Sequence, residues 1–368
     1  MRLDPSLFQF EREIIPGEEA VRIALVISPH GKRYVAKSAT PHRTFEETLI
    51  MMKSNFACPG VFPAVMQVHF RDESGYVMDH VAGSSLQEMF HAAADPMGDQ
   101  GVQRCIAAAL TRIGELHAAS RDAYTSMFHE TIVVGRLEII LRCPLIQQRF
   151  DDLEGASVAP VFEALRNFEL IGATREGTTP AALCALTTQA FLSHLPTHES
   201  LIHGDPHFGN ILVEHLTGAV SFIDPRCSWD GKPNHKAGYF DSLYDVAAIC
   251  HSLFANANVR TPVPTEVDRR ERTICLTDDA RKRFSTYFGF AMSSLRHYLD
   301  RDPTSSEVVR FVTYLACSLS GTMRYQIWTP HLDNLLSMYV LTCLTLQEAV
   351  KAGDRASTNK RRNPEGNR

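Results

Sequence analysis

The feature that most constrains this 368-residue chain is a change of hydrophobic period near Gly83. Between Val21 and Val81 the apolar residues come in short alternating bursts, "VRIALVIS", "RYVAKSA", "FPAVMQVHF" and "YVMDHVAG", divided by "PHGK" and "RDESG". Side chains on a strand point to opposite faces in turn, so this alternation between turn formers predicts an antiparallel meander. One helix interrupts it. In "TFEETLIMMKSNF", Thr44 is the expected N-cap, Glu47 the third-position partner of a capping box, and Phe45, Leu49 and Met52 the shared face.

After Gly83 the apolar spacing lengthens to three and four. "GVQRCIAAALTRIGELHAASR" sets Ile106, Leu110, Ile113 and Leu116 on one helical face, and further helices are expected near 158–170, 181–195, 276–299, 305–327 and 332–351. Strand patterning returns in "NILVEHLTGAVSFID", where two apolar runs flank "EHLTG" and predict a hairpin. The expected fold class is α+β. A β-rich lobe would occupy 1–82 with a hinge at about 78–83, a helical lobe 83–352, and a polar, disordered tail 353–368.

Composition narrows the partners. With 44% hydrophobic and 21% charged residues the chain should fold, and a net charge of −5 offers no basic surplus for a phosphate backbone, so a small molecule is expected and nucleic acid is not. The nine cysteines stand singly without a CxxC pair, as in a reduced protein. No signal-like or membrane-length apolar run is present, which predicts a cytoplasmic protein without a membrane partner.

The chemistry concentrates in "LIHGDPHFGNIL" at 201–212. His203, Asp205 and His207 alternate, so a metal-dependent hydrolase built on them is one reading; a polar turn satisfying its own backbone is another. A third uses Asp205, Asn210 five residues later, and Asp224 in "FIDP" across the hairpin. Phosphoryl transfer needs these types: one carboxylate to receive the substrate hydroxyl proton, then an amide oxygen and a second carboxylate to hold Mg²⁺ on the nucleotide phosphates.

"HGDPHFGNIL" with "FIDPR" resembles the aminoglycoside phosphotransferase and choline kinase group of the protein-kinase-like superfamily. The resemblance spans about 20–255 and implies a bilobal kinase-like fold using ATP (or another NTP) and Mg²⁺ on a small-molecule hydroxyl. It makes Asp205 the catalytic base, His207 a γ-phosphate contact, Asn210 and Asp224 magnesium ligands, and His203 a support for the loop. Gly204 stands where protein kinases carry the Arg that links this loop to an activation segment.

The same resemblance assigns Lys37 of "VAK" to the α/β-phosphates, where an edge lysine facing water is the alternative. Glu47 would be its partner, with Glu46 in reserve, and the capping box would compete for that carboxylate. Met78 would line the adenine pocket, with the Asp79 carbonyl and Val81 amide on the adenine edge. Asp245 of "DSLYDVAAICHSL" would brace the catalytic loop, Arg226 would pair with phosphate or an Asp, and His117 would be structural. The phosphate-covering loop is expected at 15–20, "IPGEEA", with Gly17 its only glycine and no GxGxxG.

Acceptor specificity would come from 122–200 and 256–350. Ten acidic against five basic residues between Asp122 and Ser200 suit a cationic amino sugar or amino alcohol, and equally a solvated surface. A catalytically silent nucleotide-binding regulator is the rival from another class. The sequence leaves the oligomeric state open.

Overall fold

The alternation in the first eighty residues produces a five-stranded antiparallel sheet in the order β1-β2-β3-β5-β4. Its strands are β1 (Gln9–Ile14), β2 (Arg22–Ile27), β3 (Arg33–Ala39), β4 (Val65–His69) and β5 (Ser74–Asp79). In the computed structural model the described residues are 8–14, 22–69, 74–124, 133–137, 165–172, 177–226, 228–229, 232–233, 236–268, 270–326 and 332–362. The expected phosphate-covering loop at 15–20 lies outside them. The chain forms two compact units: Met1–Ser126 with His198–Asp245, and Met127–Thr197 with Val246–Arg368.

Helix α1 (Pro41–Ala57) starts earlier than expected. Thr40 is the N-cap, its hydroxyl accepting the Arg43 amide at 3.4 Å, and Pro41 occupies the first turn, where its fixed φ and missing N–H cost nothing. The Thr44–Glu47 capping box therefore does not form, and both residues are buried inside the helix. The buried face is also not the apolar stripe: it comprises Thr44, Glu47, Thr48, Ile50, Met51 and Ser54, whereas Phe45 and Met52 are 59% and 57% exposed. The helix is turned so that a carboxylate, not a phenyl ring, faces the sheet.

After β5 come β6 (Gly83–Ser85), α2 (Leu86–Ala92) and α3 (Gln100–Ala119). The predicted stripe holds on α3, with Ile106, Leu110, Ile113 and Leu116 buried and His117 on the same face. The predicted hairpin also forms: β10 (Ile211–Glu214) and β11 (Val220–Phe222) pair antiparallel, Ile211 opposite Phe222. β6 adds to the free edge of β10 in a three-stranded sheet, and Gly83 is needed there because a Cβ would lie 2.0 Å from the Val213 carbonyl oxygen. A second small sheet sets β9 (His198–Leu201) between β7 (Asp122–Ala123) and β14 (Tyr239–Phe240), and β12 (Ser228–Trp229) pairs with β13 (Lys232–Pro233).

The second unit is mostly helical, with α4 (Pro180–Leu192), α6 (Asp278–Leu299), α7 (Ser305–Gln326) and α8 (Leu332–Arg362). α7 packs on α8 and both on α4, burying Val309, Val312, Leu315, Leu319, Leu341 and Leu346. Two expectations change. The helix expected near 158–170 lies outside the described residues up to 164, and its last two positions, Glu169 and Leu170, instead belong to β8 (Glu169–Ile171), parallel to β16 (Thr273–Cys275), itself paired with β15 (Glu266–Asp268). α8 runs to Arg362, into the segment expected to be a disordered tail from 353. Helix α5 (Leu243–Arg260) carries the chain across from the first unit at Asp245. Among the described residues no helix is long and apolar enough to cross a membrane, and the described cysteines are free.

Candidate active site

Lys37 sits mid-strand in β3, opposite Ile23 of β2 and Tyr76 of β5, and is 1% exposed. A buried ammonium must be paired, and Lys37 is: its Nζ lies 3.0 Å from both Glu47 carboxylate oxygens and 2.9 Å from Asp224 Oδ1. Because α1 begins at Pro41, Glu47 falls on its second turn and projects at the sheet. Glu46 instead faces His42 at 3.5 Å, so Glu47 is the acidic partner of Lys37.

Two neighbours of this pair escaped the sequence reading. Arg43 donates from Nε to Glu47 Oε1 at 2.6 Å, and the Tyr76 hydroxyl donates to Glu47 Oε2 at 2.7 Å. The Arg43–Glu47 spacing of four is that of a helical ion pair, but the helix expected to start after Thr44 left Arg43 outside it. Tyr76 was not legible either, because nothing local says which face of β5 meets α1. Burial, then the charge of Glu47, holds the Tyr76 phenol well above its usual range, so it stays a donor.

The loop between β9 and β10 is tied down by Asp245. Its Oδ2 accepts the His203 amide at 2.7 Å, its Oδ1 accepts the Gly204 amide at 2.8 Å, and His117 Nε2 lies 3.1 Å from Oδ2. Gly204 has φ +83°, a left-handed conformation that costs an L side chain about 1–2 kcal/mol, which explains a glycine at this position. His203 joins two loops: its Nε2 donates to the Ile223 carbonyl at 2.7 Å, so its Nδ1 is the acceptor for the Asp205 amide at 3.2 Å. The ring stacks on Phe62 at 5.5 Å, and burial pushes its pKa below the ordinary histidine value.

Asp205 is thus fixed by its backbone while its carboxylate stays partly open, 3.5 Å from Arg226 and with 29% of the side chain exposed. Arg226 is held in turn by its amide on the His203 carbonyl at 2.7 Å. Asn210 is mostly buried. Its Nδ2 donates to the Asp205 carbonyl at 3.0 Å, and its own carbonyl accepts the Ile223 amide at 3.0 Å. The hairpin therefore returns Asp224 beside the loop that carries Asp205. Asp224 has φ +55°, unusual for a non-glycine residue, and it directs Oδ1 at Lys37.

His207 caps the short 3₁₀ turn at 208–210, its Nδ1 accepting the Gly209 amide at 3.1 Å. At the end of β5, Met78 is buried and the Asp79 carboxylate binds Lys32 at 2.7 Å. The Val81 carbonyl accepts the Gly83 amide at 3.0 Å, while the Val81 amide has no partner among the described residues.

A metal of the zinc type finds no support in this geometry. Among the described residues no three His, Cys, Asp or Glu side chains converge, and His203 has both ring nitrogens engaged. Magnesium fits better. Asn210 spends only its Nδ2 on the loop, Asp224 meets Lys37 through Oδ1 alone, and a cation bound partly by substrate phosphates needs just one or two protein oxygens.

The strand order, the helix facing Lys37, the hairpin and the braced loop together define a kinase-like fold of the kind found in small-molecule phosphotransferases. Among solved structures, an aminoglycoside phosphotransferase from Alicyclobacillus acidocaldarius matches with a TM-score of 0.53 at 15% identity, over 96% of this chain and 95% of that one. An ethanolamine kinase from Plasmodium vivax matches at 0.48 and 13% identity, over 92% and 81%. An aminoglycoside phosphotransferase in complex with AMP-PNP and hygromycin B matches at 0.46 and 12% identity, over 93% of each chain. No protein-family model and no curated relative matches the sequence. The likeness is one of fold, so the chemistry has to be argued from the side chains.

Proposed function

We propose that this protein transfers the γ-phosphate of a nucleoside triphosphate to a hydroxyl group of a small molecule, with ATP as the nucleotide and Mg²⁺ bound alongside it. The observation that carries the reading is the buried Lys37, bonded at once to Glu47 and Asp224, residues that the chain brings from a helix and from the far side of the hairpin. A lysine kept for stability alone gains little from such burial, since an apolar residue of the same volume is often as good or better. A lysine that must meet phosphates needs this anchoring.

In this reading Lys37 turns from Asp224 toward the α/β-phosphates while Glu47 keeps hold of it. Asn210 and Asp224 would hold the magnesium, which neutralises charge on the transferred group. Asp205 receives the acceptor's proton. Its carboxylate stays partly open beside Arg226, and its anchored amide fixes where that carboxylate can reach. His207 would meet the γ-phosphate through the ring nitrogen not used in capping. The Val81 amide and Asp79 carbonyl would hold the adenine edge beside Met78, with the hinge at about 78–83 dividing a nucleotide lobe, 1–82, from a catalytic lobe, 83–352. Amino sugars, sugars, aminoglycosides and amino alcohols are the acceptors to try, in a protein of the cytoplasm.

A thermal-shift series with ATP, with and without Mg²⁺, followed by ATP consumption against those acceptors, tests this directly. Stabilisation by MgATP together with consumption that Asp205→Asn abolishes, without loss of the stabilisation, is the expected outcome. Stabilisation with no consumption against any acceptor would favour the silent regulator, and no response to nucleotide at all would sink both.

A further inference from the structure

We infer that Tyr76 and Arg43 are positioning residues that clamp Glu47 from its two sides, so that Lys37 stays in place when Asp224 is drawn to the metal. The inference rests on the kinase reading above and concerns two residues which that reading does not use. Each Glu47 oxygen has one donor of its own, Arg43 Nε on Oε1 at 2.6 Å and Tyr76 Oη on Oε2 at 2.7 Å. Lys37 Nζ lies 3.0 Å from both. Without the two flanking donors the carboxylate could turn about its last side-chain bond, a torsion with broad minima. With one donor on each oxygen, that rotation breaks a charge-assisted hydrogen bond whichever way it goes.

The charge balance points the same way. In this structure the two cations Lys37 and Arg43 face the two anions Glu47 and Asp224. When Asp224 turns to a metal ion, Glu47 alone remains to hold Lys37 against the pull of the triphosphate. Arg43 holds one oxygen of that carboxylate, and the Tyr76 hydroxyl, in a fully buried ring whose centroid is 5.9 Å from Lys37 Nζ, holds the other and so keeps its plane. Side chains locked in this way by neighbours that never touch the ligand make a phosphate contact reproducible to a fraction of an ångström.

The test compares Tyr76→Phe, which removes one oxygen, and Arg43→Gln, which removes one cation, with wild type and Lys37→Met. The clamp predicts that KM for MgATP rises about ten-fold in each, the scale of one lost hydrogen bond to a charged group, with kcat changed less. Thermal stabilisation by MgATP should shrink in parallel, and Arg43→Lys should recover most of the Arg43→Gln loss. Wild-type KM and wild-type nucleotide stabilisation in both variants would overturn the inference, even with a lower melting temperature of the free protein. Should Tyr76→Phe fail to fold, Arg43→Gln decides alone. If wild type and Lys37→Met are alike in showing no stabilisation by MgATP, the kinase reading itself has failed; if they differ while both clamp variants match wild type, only the clamp has.

Discussion

Lys37 and Asp224 lie 187 positions apart in the chain and 2.9 Å apart in space. The pair ties the middle of the first sheet to the turn that follows the hairpin, and Glu47 completes it from helix α1. If the proposed function holds, Lys37→Met should lower phosphate transfer at least about 100-fold, since it removes the cation proposed to meet the nucleotide's α/β-phosphates. Breaking one side of a buried ion pair costs about 3–5 kcal/mol, and the fall should lie near the lower figure because Arg43 and Tyr76 still serve Glu47. Urea unfolding beside a turnover assay separates the two effects.

Asp245 of α5 braces the loop between β9 and β10. Asp245→Ala would leave the buried His203 and Gly204 amides and His117 without their acceptor. At about 1–3 kcal/mol for each orphaned group, a loss above about 3 kcal/mol is expected, with Asp245→Asn losing less because one oxygen can still accept. An unchanged denaturant midpoint in the alanine variant would contradict this account of the loop.

His203 gives a pH dependence with a definite sign. Burial outweighs the nearby Asp245 and Asp205 charges and lowers its pKa below 6.5, so the unfolded chain takes up a proton that the folded protein resists. Its contribution is complete above about pH 6.5 and is lost as pH falls toward the folded pKa. The stability difference between wild type and His203→Gln should therefore be larger at about pH 7.5 than at about pH 5. A difference that grew on acidification would refute the assignment of a neutral ring donating to Ile223.

Gly83 is a packing prediction. A Cβ there would lie 2.0 Å from the Val213 carbonyl oxygen, against backbone that can yield only by parting β6 from β10. Gly83→Ala should cost about 2 kcal/mol or more, whereas Gly218→Ala, with nothing within 4 Å but φ +70°, should cost only about 1 kcal/mol of backbone strain. Thermal melts of the two variants give the comparison.

Glu307 caps α7 and binds Arg301, and its pKa, although burial raises it, is lowered to about 2 by Arg301 and Thr304. Glu307→Gln should lose about 1–2 kcal/mol at neutral pH. In wild type the same stability should disappear as pH falls from about 4.5 toward about 2, the range in which only the unfolded carboxyl is protonated. Denaturant titrations across that range check both statements.

Local pattern carried much of this fold. The alternation of 22–79, the stripe on α3 and the hairpin at 211–222 are one-dimensional consequences of which side chains must avoid water, and they survive in the structure. The spacing within 203–210 likewise marked where to look, because a braced turn with an acid and an amide at fixed offsets is written in consecutive residues.

Helix α1 shows where local pattern stops. Its apolar residues predicted one buried face, and the structure buries another, because a lysine on β3 and a tyrosine on β5 recruit Glu47 inward and leave Phe45 and Met52 in solvent. Strand β8 and its parallel partner β16 went unseen for the same reason, as each is three residues long and pairs with a segment about a hundred positions away. By itself the sequence determined the periodicities, the turns and the set of chemically able residues. Only the tertiary structure decided which oxygens face Lys37, which donors flank them and which face of α1 is hidden, since a buried charge takes its place from partners distant in the chain.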